Sequence, residues 1–212
     1  MKINISTPFK FLPIIVVILL CSPCLKTFAQ PKSIYFDGNR ITTNAERATS
    51  YGVYGKLSGQ DLWVLKRYDL YDNLMLSGSY KDEQLSKPHG KFIFYGSIAD
   101  YNYQNFSNFK NPKTDRYITQ QGEYVDGMEE GQWTDYFPDG TVMGYRTYEK
   151  GKLEGKVEFF NYRGRRLLLG HYKDGLKTGT WYDLKRKVKE VFNNDQLVST
   201  AKLTKAEIAD IE

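Results

Sequence analysis

Residues 122–140 read GEYVDGMEEGQWTDYFPDG, residues 146–164 read RTYEKGKLEGKVEFFNYRG, and residues 170–181 read GHYKDGLKTGTW. One unit is written three times at a spacing of 24 residues. Gly127, Gly151 and Gly175 share a column, as do Gly131, Gly155 and Gly179. Tyr124, Tyr148 and Tyr172 keep the same beat, followed by Trp133, Val157 and Trp181, then Tyr136, Phe160 and Leu184. Gly140 and Gly164 add a further pair. A fixed period of this length means one small supersecondary unit stacked on copies of itself.

Each unit carries its own turns. Asp126-Gly127, Asp174-Gly175 and Pro138-Asp139-Gly140 are turn signals, since tight turns need a positive φ that glycine adopts without a Cβ clash. Between them lie short runs of aromatic and β-branched residues such as Gln132-Trp133-Thr134-Asp135-Tyr136. These favour strands and are too short and glycine-broken for helices. One repeat is therefore a β-hairpin, and successive hairpins should pair into an elongated all-β antiparallel sheet. With strands about 4.8 Å apart, equivalent residues recur every ~10 Å, so the Tyr column and the Trp column each form a row whose first role is packing. Weaker copies lie upstream. Gly78-Ser79-Tyr80 matches Gly122-Glu123-Tyr124, Gly90 to Tyr95 matches Gly131 to Tyr136, and Trp63 and Tyr68 mark the second strand of an earlier unit. The units at the ends of a stack are expected to be atypical.

The Gly, Tyr and Trp columns resemble the MORN repeat in its bacterial variant form, the YwqK-type toxin–antitoxin antitoxin family. The resemblance covers residues 62–193. Where the standard MORN pattern has Gly-x-Gly, this chain has Gly131-x-Trp133, Gly155-x-Val157 and Gly179-x-Trp181, which points to the variant branch and away from the lipid binding of eukaryotic MORN proteins. The lead IYFDGNRITTNAERATSYGVY resembles the start of exported Bacteroidetes proteins carrying such repeats. The resemblance implies a stacked-hairpin fold and an antitoxin or immunity-like inhibitor role against an exported toxin.

Residues 1–29 have the layout of a secretory signal peptide: Lys2 and Lys10, an apolar run from Phe11 to Leu20, and Thr27-Phe28-Ala29 before a cleavage that leaves Gln30 first. An uncleaved anchor and acylation at Cys21 are the alternatives; Leu20 stands where a lipoprotein has a small residue. Cys21 and Cys24 are the chain's 2 cysteines, so the mature chain has neither disulfide nor thiol chemistry. Removing Lys2, Lys10 and Lys26 leaves 27 basic against 25 acidic residues, a net charge of about +2. That balance gives no footing for nucleic-acid binding. The organisation expected is a signal peptide over 1–29, a lead segment over 30–61, repeats over 62–193 and a tail over 194–212.

Two segments break the beat. Residues 97–119, SIADYNYQNFSNFKNPKTDRYIT, interrupt the repeats with asparagines and rings. Such an insertion either caps a sheet face, stays disordered or recognises a partner. For recognition the candidates are Tyr101, Tyr103, Phe106 and Phe109, amphipathic rings beside amides. The tail carries Thr204-Lys205-Ala206-Glu207, a capping box with Ile208 and Ile211 on one face, which predicts a short C-terminal helix on the sheet end.

Chemistry is sparse. His89 reads as a turn residue before Gly90, and His171 lies on a strand face with Leu167 and Leu169. No nucleophile elbow, phosphate loop or metal-protease motif is present, so no catalytic, cofactor or metal residue is expected. Arg163 and Lys187 are 24 apart, as are Arg165 and Lys189, and would gather at one edge of the last repeats. They suit an acidic partner or envelope phosphates, or else protect a terminal strand from aggregation. The sequence thus points to an exported binding or scaffold protein whose partner is a protein of the periplasm or outer envelope, with a lipid or glycan surface as the rival.

Overall fold

The computed structural model describes residues 31–211, so the expected signal peptide and Cys21 lie outside the described residues. A single open antiparallel sheet of 15 strands runs through nearly all of it. It opens with β1 (Lys32–Asp37), β2 (Arg40–Thr42) and, after a 3-10 turn over Ala45–Arg47, β3 (Ser50–Lys56). β4 (Trp63–Asp69), β5 (Leu74–Tyr80) and β6 (Gly90–Ser97) lead to helix α1 (Ile98–Asn105). The repeats proper supply β7 (Arg116–Val125), β8 (Met128–Tyr136), β9 (Val142–Glu149), the short β10 (Lys152–Leu153), β11 (Gly155–Phe160), β12 (Arg166–Lys173), β13 (Leu176–Asp183) and β14 (Val188–Asn193). β15 (Gln196–Lys202) and helix α2 (Lys205–Ile211) end the chain. From β3 to β15 the strands lie side by side in chain order, β10 being a spur on β9; at the other end β1 sits between β3 and β2.

The expected stack of hairpins is the observed one, and the lead segment belongs to the same sheet through β3 and β4. Asp126-Gly127, Lys150-Gly151 and Asp174-Gly175 each have positive φ at both central residues, the signature of a two-residue I′ turn whose twist matches the strands it joins. Asn194-Asp195 does the same at the last hairpin. The repeat reading stops at residue 193, but pairing continues one strand further, because Leu197-Val198-Ser199-Thr200 is strand-forming sequence behind that turn.

Alternation divides the sheet into two faces. One carries the rings. Tyr80, Phe92, Tyr124, Trp133 and Tyr148 follow one another with centroids 5.4, 4.8, 5.1 and 6.2 Å apart, all edge to face. Tyr172, Trp181 and Phe192 repeat this at 5.0 and 6.2 Å. The Tyr and Trp columns, which the period lays out as separate rows, interleave into one zipper. Edge-to-face pairs of this kind add about 0.5–1.5 kcal/mol each beyond the area they bury. The opposite face presents a row running from Thr134 through Tyr145, Glu158, Leu169 and Tyr182 to Lys189.

With no second layer above it among the described residues, the indole must sink into its own sheet. Trp133 is only 2% exposed because it lies across Gly122, where a Cβ would stand 2.2 Å from the ring. Trp181 lies across Gly170 at the same 2.2 Å, and Phe92 across Gly78 at 2.4 Å. The middle repeat departs at both positions together. The register that sets Glu158 opposite Tyr145 sets Val157 opposite Arg146, and Arg146 turns to Asp135 at 2.6 Å. The Trp-to-Val and Gly-to-Arg exchanges are one change seen on two strands.

Val157→Trp alone should destabilise the sheet by about 1–3 kcal/mol, the usual cost of overpacking. Arg146→Gly combined with Val157→Trp should recover part of that loss, giving a coupling of the order of 1 kcal/mol or more in a urea-denaturation double-mutant cycle. Additive effects would show that the two positions are independent.

Candidate functional site

The insertion folds into α1 and a loop fixed by hydrogen bonds of Ser97, Asp115 and Asn102. Ser97 caps α1 by accepting from the Asp100 N–H at 3.0 Å, and its hydroxyl donates to Asp115 at 2.6 Å. Asp115 also accepts from the Ala99 N–H at 3.0 Å, which ties the two ends of the insertion together. Asn102 then clamps the loop. Its amide donates to the Phe109 carbonyl, while its oxygen accepts from the Phe109 N–H and the Ser107 hydroxyl, all at 2.9 Å.

That scaffold sorts the four candidate rings into two kinds. Tyr101 and Phe109 turn inward, 5.7 Å apart, against Tyr117 and the buried Phe137. This is the capping arrangement the sequence allowed. Tyr103 and Phe106 turn outward, 85% and 99% exposed. Phe106 ends α1 in the left-handed region at φ 50°, a position that glycine normally fills. A non-glycine residue held there costs roughly 1–2 kcal/mol.

The cap reaches further than residue spacing suggests. Phe109 meets Tyr162 edge to face at 6.5 Å, in the turn between β11 and β12. Arg163 then lies over the Tyr162 ring at 5.2 Å. Two groups of residues far apart in the chain, the insertion rings and the first member of the basic set, thus meet at one end of the sheet. Between them opens a cleft of about 560 Å³, lined by Tyr101, Asn105, Phe106, Phe109, Phe137 and Tyr162 among others. Phe137 and Tyr162 escaped the sequence reading. Their signal was present in Tyr162, a ring in a turn whose equivalents are Pro138 and Arg186.

The basic set divides as well. Arg163, Arg165 and Lys187 are exposed in neighbouring turns at this end, and among the described residues no carboxylate lies within salt-bridge distance of them. Lys189 stands apart from them. It sits in β14 and pairs with Glu207 of α2 at 2.5 Å. Neighbouring cations are also engaged: Arg166 with Glu158 at 2.9 Å and the Ile211 carbonyl, and Arg186 with Asp183 and Glu190 at 2.6 and 3.0 Å. Protection of a terminal strand does not account for these residues, because β15 lies outside β14 and is itself the edge.

The predicted capping box is formed in full. The Glu207 N–H donates to the Thr204 hydroxyl oxygen at 3.2 Å, and Glu207 accepts from the Thr204 N–H at 2.9 Å. With Lys189 these contacts hold the Glu207 carboxyl down at about 2. His89 sits in its turn, its Nδ1 accepting from the Asp126 N–H at 3.3 Å. Among the described residues no group of three or more His, Cys, Asp or Glu is placed to hold a metal ion, and no helix is long and apolar enough to cross a membrane. No protein-family model matches the chain, and no curated protein matches it.

The Lys189–Glu207 pair sets a pH window for docking of α2. Glu207 is depressed, so its contribution is present above its ordinary value of 4.5 and is lost as pH falls through about 2. Lys189 is raised by the same partner, so its contribution is present below its ordinary 10.5 and is lost as pH rises beyond that. Protection factors of residues 205–211, the intrinsic exchange rate at each pH divided by the observed one, should be highest between these limits and should fall on acidification, and Glu207→Gln should remove the acid limb.

Proposed function

We propose that this protein is an exported, non-catalytic binding module, and that it holds a protein partner at the turn end of its sheet. The observation that carries this is the outward ring of Phe106. An aromatic side chain at full exposure, kept in a backbone conformation that disfavours it, adds nothing to the stability of the chain. Strain of this kind persists where a function uses the group. The cleft beside it offers rings and amides, Arg163 lies over the Tyr162 ring that lines it, and Arg165 and Lys187 are further exposed cations in the turns at the same end of the sheet. Aromatic and arginine side chains are the residue types that anchor protein interfaces.

The signal-peptide reading of residues 1–29 puts the partner in the periplasm or the outer envelope. The resemblance to the antitoxin family supplies the narrower form of the proposal, in which the partner is an exported toxin and the module is its inhibitor. The basic rim makes the partner's matching surface acidic.

Affinity capture from detergent-solubilised envelope with the mature chain should enrich one dominant protein, and deletion of residues 98–115 should abolish the enrichment. Phe106→Gly separates function from folding. Glycine relieves about 1 kcal/mol of backbone strain, so this variant should melt higher than the parent while capturing less partner. Capture that is unchanged in both variants would rule out the cleft as the recognition surface. Enrichment of lipid or glycan in place of a protein would transfer the site to the rival ligand class.

A further inference from the structure

The cleft at the turn end has one-sided chemistry. Its walls are rings: Tyr101, Phe106, Phe109, Phe137 and Tyr162. Phe109 and Phe137 stack at 6.2 Å with 21° between their planes, and Tyr101 and Tyr162 meet Phe109 edge to face. Hydrogen-bond donors outnumber acceptors among the polar groups left over. The bonds that hold the insertion and the Tyr162 turn leave the Tyr101 and Tyr162 hydroxyls and the Asn108 amide without a protein partner among the described residues. Burial, and then the charge of Asp139, push the Tyr101 phenol up, which keeps it protonated and a donor. Arg163, over the Tyr162 ring at 5.2 Å, adds guanidinium N–H groups. Against these stand the amide oxygens of Asn105 and Asn108. No carboxylate lines the cleft. Asp139, in the turn after Phe137, is already engaged, accepting from the Thr141 N–H at 2.9 Å and the Thr141 hydroxyl at 2.7 Å.

A donor-rich aromatic cleft suits a ligand with many acceptors and few donors. A sugar is a poor match, because each of its hydroxyls donates as well as accepts. Proline offers a carbonyl and no N–H, together with an apolar ring that packs on aromatic faces. Proline-containing chain is also held extended in polyproline II before it binds, so little ordering remains to be imposed, and aromatic-lined grooves are its usual receptors. The volume of about 560 Å³ lies within the range of small-ligand sites, about 300–1,000 Å³, and admits a short length of chain in place of a folded surface.

We infer that the part of the partner entering the cleft is an extended, proline-containing segment with a carboxylate beside its prolines, the rings taking the prolines and Arg163 the carboxylate. This rests on the reading of the cleft as a site for a protein. Arg165 and Lys187, exposed in turns at the same end, favour further acidic residues along the segment.

The probe is a displayed library of random linear peptides selected on the mature chain, residues 30–212. The selected peptides should share prolines with Asp or Glu close by. Replacing those prolines with alanine in the best peptide should weaken its binding about ten-fold or more in fluorescence anisotropy, since the pre-formed extended conformation is lost. Tyr162→Phe removes one hydroxyl and should weaken binding about three- to ten-fold, the usual contribution of one hydrogen bond. Arg163→Glu should move the selected sequences away from acidic flanks, a change that a merely structural role for Arg163 would not produce. Both variants should keep the parent circular dichroism. A library that yields no binder, or a consensus without proline, would overturn the inference. So would binding of N-acetylglucosamine oligosaccharides, weakened by Tyr162→Phe, in place of the peptides. Envelope capture that depends on the cleft while no proline consensus emerges would remove this inference and keep the site. Capture and peptide binding that both ignore Phe106→Gly and deletion of residues 98–115 would remove the site as well.

Discussion

The described residues form an open sheet with no covering layer, and such a sheet has to bury its large side chains against itself. Everything else in this molecule depends on how it does so. The indoles of Trp133 and Trp181 occupy the space that a Cβ would take on the facing strand, which is why Gly122 and Gly170 stand there. Tyrosines from neighbouring hairpins close over them edge to face. Burial thus comes from lateral neighbours, and a single repeat could not be stable alone. The Val157–Arg146 exchange shows the constraint by its exception. When the ring is lost, the requirement for glycine goes with it, and a half-buried ion pair to Asp135 takes up the room.

The same architecture decides which end of the sheet can carry an insertion. Strands are committed to the zipper on one face, and the two-residue turns at the Asp-Gly end are too short to carry side chains of their own choosing. The other end is freer. There the turns are longer, and one of them has grown into α1 and its loop. Phe109 and Phe137 fasten that insertion to the sheet, and Asn102 sets its path, so the outward residues sit on a rigid base. A firmly held insertion with a strained, exposed ring at its tip is a different object from a disordered loop of the same composition.

Charge follows the same division. Cations near the C-terminus look equivalent as a list, but the fold assigns them different work. Arg166, Arg186 and Lys189 hold strands and the terminal helix together, and Arg163, Arg165 and Lys187 are left to the solvent. β15 lies beyond all of them with one charge, Lys202, and a bulge at Val198 that interrupts its edge.

A period of 24 residues with Gly in the turn columns and rings between them was enough to determine the hairpin, the antiparallel sheet and the turn positions, because backbone conformation and strand alternation are local properties. The capping box of α2 was legible for the same reason. The 3-dimensional arrangement alone decided which rings face inward, since Tyr101 and Tyr103 differ in nothing that composition records. It also joined Tyr162 and Arg163 to an insertion more than fifty residues away, and showed that Gly122 and Trp133 are one packing unit. Those outcomes rest on contacts between residues distant in the chain, and a repeat pattern specifies which strands are neighbours without specifying what lies across them.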